Sequence, residues 1–252
     1  MSTSVQPNAN TALHGLDPDK IADTIERLSK RIEERFPGSG LGAVCRQLLI
    51  VSDHAKERAA EIARPMSGLR LGAGALIALI FCLLIATVVL AKRPTGSLDL
   101  AQLVQLMESA INDTLLIGAA IFFLATIETR VKRHRALKAL HELRAIAHII
   151  DMHQLTKDPE GILAPHAATE SSPRRVMTAF ELNRYLDYCS EMLSLIGKIA
   201  ALYIQHFDDD VAIAAANEIE ALTTGLNNKI WQKLNILHSI QEQLAPPGNL
   251  PT

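Results

Sequence analysis

Residues 69–91, LRLGAGALIALIFCLLIATVVLA, constrain the fold of this chain more than any other stretch. After Arg70 they carry no charge, no proline and a single hydroxyl, that of Thr87. At 1.5 Å per residue such a helix is about 30 Å long, the thickness of a bilayer's hydrocarbon core. A buried helix of a soluble domain is seldom apolar all round for so long, because one of its faces normally meets water. The stretch therefore reads as a transmembrane helix, and the lipid bilayer becomes the first expected partner.

A second apolar block, residues 114–127, spans only about 21 Å as a helix and does not cross unaided. Starting it near residue 108 gives a span of about 108–128 and puts Glu108, Asn112 and Asp113 in the outer interfacial layer. Those three polar residues have two readings: helix capping and interfacial anchoring, or an ion-attracting pore mouth when several copies assemble. The middle of each span lacks a charge, which argues against a transporter-like binding site.

The flanking charges set an orientation. Lys56, Arg58, Arg64 and Arg70 precede the first span, and Arg130, Lys132, Arg133, Arg135 and Lys138 follow the second. The loop between them offers only Lys92 and Arg93, beside Asp99. Basic residues gather on the cytoplasmic side, so an integral plasma (inner) membrane protein with both termini cytoplasmic is expected.

The remaining residues read as helices. Hydrophobic residues make up 48% of the 252, and Leu, Ile and Ala predominate over the aromatic and β-branched mix of strands. No strand-like alternation occurs. With 25 basic against 27 acidic residues, nucleic acid is not an expected partner. Cys45, Cys82 and Cys189 lie far apart, which is no disulfide framework and suits a reducing compartment. The first residues lack the basic and apolar regions of a cleavable signal peptide.

In chain order, a polar tail is expected over 1–16 and an N-terminal cytosolic helical hairpin over 17–66. Asp17-Pro18 marks its start as N-cap and first-turn proline. Ile21, Ile25, Leu28, Ile32 and Phe36 form one apolar stripe. A second stripe runs through Leu41, Val44, Leu48, Val51, Ala55, Ala59 and Ile62 as one further helix. The membrane hairpin covers 67–128, and its second span continues as a cytosolic helix over 129–155. There Ala136, Ala139, Leu143, Ile146 and Ile150 share a face.

A linker over 156–172 precedes a C-terminal helical hairpin over 173–245, opened by Ser172-Pro173, and a tail over 246–252. Leu182, Leu186, Cys189, Leu193, Ile196, Ala200, Tyr203 and Phe207 alternate at spacings of four and three, a coiled-coil seam. Asp208-Asp209-Asp210 ends that helix and caps its successor, which carries Ile219, Leu222, Leu226, Ile230, Leu234 and Leu237 on one side. Trp231 is expected to pack in a core or interface. The fold class is thus all-α: a two-helix transmembrane hairpin with a cytosolic bundle or coiled-coil region built from N- and C-terminal helical hairpins.

Besides the outer polar residues, three groups of residues are candidates for function. Gly68, Gly72, Gly74 and Ala78 place small side chains four apart in the first span, where they let helices approach closely in lipid. His134, His141 and His148 recur every seven residues on one helix face, either a pH-sensing stripe or a solvated or subunit-contacting one. His148 and Asp151 sit one turn apart with His153 beyond, the only spacing that suggests a metal ion. His141 and His148, about 10.5 Å apart along the axis, do not share one ion on a straight helix. A complete metal site needs further ligands, from a second subunit or from the linker, His166 for instance.

Gly38-Ser39-Gly40-Leu41-Gly42 lacks the strand and the Lys-Ser/Thr that a phosphate loop requires. No catalytic motif and no cofactor emerge. The layout looks like that of two-span membrane effectors of bacterial defence systems, a likeness of architecture without a shared motif. The leading expectation is a non-enzymatic membrane scaffold or signalling component that forms a homo-oligomer and recruits a cytosolic protein through its C-terminal helices. The alternatives are a pore-forming or channel-type effector gated by the bundle, and a metal-dependent enzyme using the His148/Asp151 region.

Overall fold

The computed structural model describes residues 15–91, 100–157, 159 and 177–244. The N-terminal tail to residue 14, the loop carrying Lys92, Arg93 and Asp99, most of the linker with His166, Ser172-Pro173 and the C-terminal tail lie outside them. Among the described residues there are seven α-helices and no strand. They are α1 (Pro18–Arg35), α2 (Gly40–Asp53), α3 (Ala55–Ala63), α4 (Ser67–Ala91), α5 (Leu100–Leu155), α6 (Ala179–Ile204) and α7 (Asp210–Leu244). The chain forms two compact units, one of Met1–Ala63 with Arg135–Thr252, the other of Arg64–His134.

The first unit is a helical bundle. Asp17 caps α1 through its carboxylate, which accepts from the Asp19 amide at 3.0 Å, and Pro18 occupies the first turn. Gly38, at φ 66°, makes the turn into α2, a left-handed conformation that disfavours side chains. Ser39 then caps α2 by accepting from the Gly42 amide at 3.1 Å. The glycine-rich segment is therefore a helix–helix corner.

The second N-terminal helix departs from expectation, because the single helix read over 41–62 is two, α2 and α3, broken at His54. Ser52 Oγ donates to the Leu49 carbonyl at 2.8 Å, and His54 Nδ1 bonds the Ile50 carbonyl at 2.7 Å. Side chains that take the carbonyls of the preceding turn weaken and bend the helical ladder. The apolar stripe survives the break, with Val51, Ala55 and Ile62 all buried.

Helix α6 is the centre of the bundle. Every seam residue from Leu182 to Tyr203 is buried, and so are Tyr185, Tyr188, Met192, Leu195, Ile199 and Leu202. A two-helix coiled coil buries only the seam; α6 buries a broader face, more than half its circumference, packing against α1, α2, α3 and α7. It starts at Ala179 with Thr178 as N-cap in a reciprocal capping box with Glu181, six residues beyond the Ser172-Pro173 signal. Its partner α7 is capped by Asp209, whose carboxylate accepts from the Ala212 amide at 3.0 Å. Ala136, Ala139, Leu143, Ile146 and Ile150 of α5 complete the same core. Trp231, expected to pack, is 62% exposed on α7. Its neighbours Ile230 and Leu234 take the buried face instead.

The second unit holds α4 and residues 100–134 of α5. Among the described residues two helices are long and apolar enough, by length and composition, to cross a membrane, and no residue of their most apolar windows is buried within the protein. Large side chains such as Leu71, Ile85, Ile111, Leu115 and Phe122 stand exposed. The helices are tied by Glu128 of α5, which accepts from Arg70 of α4, from the Met66 amide at 3.3 Å and from Lys132 at 3.0 Å.

The centrality of α6 predicts a graded response to truncation. Leu193→Ala is expected to destabilise the bundle by about 2–5 kcal/mol, since it opens a cavity where the chain is fully enclosed. Trp231→Ala should stay within about 0.5 kcal/mol, as for other exposed substitutions. Denaturant unfolding of the solubilised protein, followed by circular dichroism, checks both.

Candidate functional site

The histidine-bearing end of α5 forms a polar junction inside the bundle. The helix ends at Leu155, and its last turns bring His153, Gln154 and Lys157 against the start of α6 and the middle of α7. Lys233 of α7 donates to the Gln154 carbonyl at 2.6 Å, placing a cation at the negative end of the α5 dipole. Gln154 Nε2 donates to Asp151 at 2.6 Å, while its Oε1 is buried without a hydrogen-bond partner. Lys157 Nζ lies 5.0 Å from the Tyr185 ring centroid, a cation–π contact. Phe36 meets Tyr185 edge-on at 5.5 Å and Tyr188 at 6.3 Å.

His153 is the one member of the histidine series drawn into this junction. Its Nδ1 is 3.5 Å from the Tyr185 hydroxyl, and its ring lies so close to Gly40 that a Cβ there would come within 2.5 Å. Burial, and then the Lys157 charge, push its pKa below the ordinary histidine value. Burial raises the Tyr185 phenol and pushes the Cys189 thiol up to about 12, so both keep their protons at neutral pH. Cys45 is likewise pushed up to about 11 by burial. A protonated thiol enclosed by apolar side chains is a poor nucleophile. The junction is suited to holding helices in register.

The other candidates take different places. His134, His141 and His148 are exposed on α5. Asp151 turns to Gln154, and His153 turns to Tyr185, so the three metal candidates do not converge. Among the described residues no three His, Cys, Asp or Glu side chains are placed to hold a metal ion. Gly68, Gly72 and Gly74 face open space, since an added Cβ at each meets nothing within 4 Å, and Ala78 is exposed. Gln105, Glu108, Ser109 and Asn112 line one shallow concave face of α5, with Asp113 exposed beside it.

Sequence reasoning missed the partners that shape these places: Tyr185, Lys157 and Lys233 at the junction, Glu128 between α4 and α5, and Glu142 for Arg58. Arg58 and Glu142 lie 84 residues apart, and no local pattern links them. No protein-family model, no curated protein and no solved structure matches this chain.

The lowered His153 pKa fixes the sign of a pH response. In the unfolded chain the imidazole titrates near its ordinary value of about 6.5; in the fold its neutral form is favoured. The stabilisation from this residue is complete above pH 6.5 and is lost as pH falls through the depressed folded value. Unfolding midpoints measured from pH 7.5 down to 5 should decline, and His153→Gln should flatten that decline. An identical decline in the variant removes His153 as its source.

Proposed function

We propose that this chain is a non-enzymatic membrane-anchored scaffold or signalling component. In this reading α4 and the first part of α5 cross the plasma (inner) membrane as a hairpin. Both termini and the helical bundle lie in the cytosol, where the C-terminal helices receive a protein partner. One observation carries the proposal: the two most apolar helices bury none of their apolar windows inside the protein. Exposed apolar surface on that scale calls for another apolar medium, and lipid supplies it.

Self-association through α4 follows from the open face at Gly68, Gly72, Gly74 and Ala78. In lipid, helices associate by close packing rather than by hydrophobic burial, and small residues permit that approach. The clamp of Arg70, Glu128 and Lys132 holds the two helices together on the side of the basic flanks, so the α4 face is presented with a defined partner helix behind it. The absence of a catalytic motif from the sequence makes binding, not turnover, the expected activity.

Carbonate washing should leave the protein in vesicles, and a reporter fused after Thr252 should lie on the cytoplasmic side. Cross-linking in the native membrane should yield oligomers that Gly72→Leu and Gly74→Leu together reduce severalfold. A strict monomer with no captured partner overturns the scaffold reading.

The concave polar face of Gln105, Glu108, Ser109 and Asn112 favours a second reading, a pore lined by several copies of α5. Purified protein in planar bilayers should then conduct, and Glu108→Gln with Asp113→Asn should lower cation selectivity. A silent bilayer at high protein density rules the pore out.

A further inference from the structure

Between α3 and α5 the bundle carries a small basic cleft lined by Arg58, Glu61, Arg135, Lys138 and Glu142. Its volume of about 160 Å³ corresponds to roughly five water molecules at about 30 Å³ each. That is room for a phosphate group, with the body of any ligand left outside. Three cations face two carboxylates here, and the carboxylate of Glu142 is already engaged by Arg58. Arg135 and Lys138 are exposed and have no ion-pair partner among the described residues. Two cations without partners, converging on one concavity with a third, form an anion trap rather than a scattered solvated face.

Arg58, with five N–H donors in a rigid fork, has donors to spare after pairing with Glu142.

The geometry points to a phosphate-monoester site, with Arg135, Lys138 and the free edge of Arg58 donating to the phosphate oxygens. The phosphate comes from a lipid headgroup or from a soluble phosphate monoester. The lipid source rests on the membrane reading above, while the soluble source stands without it. Glu61, the carboxylate of the cleft that has no cation committed to it, opposes the bound dianion, so its neutralisation strengthens binding.

The test uses the full chain with two probes: glycerol 3-phosphate added to the detergent-solubilised protein, and nanodiscs containing phosphatidic acid against nanodiscs of phosphatidylcholine alone. The expected result is binding of at least one phosphate source that weakens about fivefold in Arg135→Gln and again in Lys138→Gln. Glu61→Gln should tighten it, and Lys229→Gln, a charge-matched change on α7, should leave it unchanged. Binding confined to phosphatidic acid nanodiscs assigns the headgroup, and binding of glycerol 3-phosphate as well assigns a free phosphate. Two results overturn the site: no binding of either probe, or equal weakening by Lys229→Gln, which reduces the effect to bulk surface charge. Neither result bears on carbonate resistance or on the Thr252 reporter, so the membrane reading is judged separately.

Discussion

The bundle depends on the enclosure of α6. A helix buried on one stripe needs a single neighbour, but α6 buries a broader face, and α1, α2, α3, α5 and α7 cover it. The side chains that reach across this bundle are mostly part-exposed ion pairs, such as Arg31 with Glu191 at 2.5 Å and Arg58 with Glu142. Exposed pairs of this kind contribute about 0–1 kcal/mol each, whereas fully burying one leucine or isoleucine contributes about 1.5–3 kcal/mol. Apolar enclosure, not the ion pairs, dominates the hold between the helices.

The second unit follows the opposite rule. Its helices satisfy their own backbone hydrogen bonds and leave their apolar side chains facing outward, so nothing inside the chain requires that surface to be covered by protein. What the chain does specify is the charged base: Glu128 gathers Arg70, Lys132 and the Met66 amide around one largely buried carboxylate. Helix α5 belongs to both regimes. Its residues Ile111, Leu115 and Phe122 stand exposed, while Leu140, Leu143 and Ile150 are enclosed in the bundle core. A single helix of 56 residues therefore carries one exposed and one enclosed apolar stretch.

Inside the bundle and on its surface the polar groups differ in state. The nucleophile-bearing and titratable groups inside the bundle, Cys45, Cys189 and Tyr185, are held protonated by burial, and His153 is held neutral. Groups in those states hold helices together more readily than they drive chemistry. The open concave and small-residue surfaces lie outside: the face of Gly68, Gly72 and Gly74 on α4, the polar concavity on α5, and the cleft of Arg58, Arg135 and Lys138.

By itself the sequence determined what is local and periodic. The caps at Asp17 and Asp209, the buried faces of α1, α5 and α6, and the two long apolar helices all follow from spacing and residue type, because helical periodicity is written within a few turns. Side-chain hydrogen bonds and packing that periodicity does not encode decided the rest. The break at His54 coincides with its side chain taking the Ile50 carbonyl, the burial of α6 beyond its seam came from the helices around it, and the exposure of Trp231 from the rotation of α7. The candidate metal ligands separated because Asp151 and His153 found Gln154 and Tyr185 instead of each other. Arg58 and Glu142, 84 residues apart, meet only when the bundle closes, and no pattern of neighbours along the chain encodes that meeting.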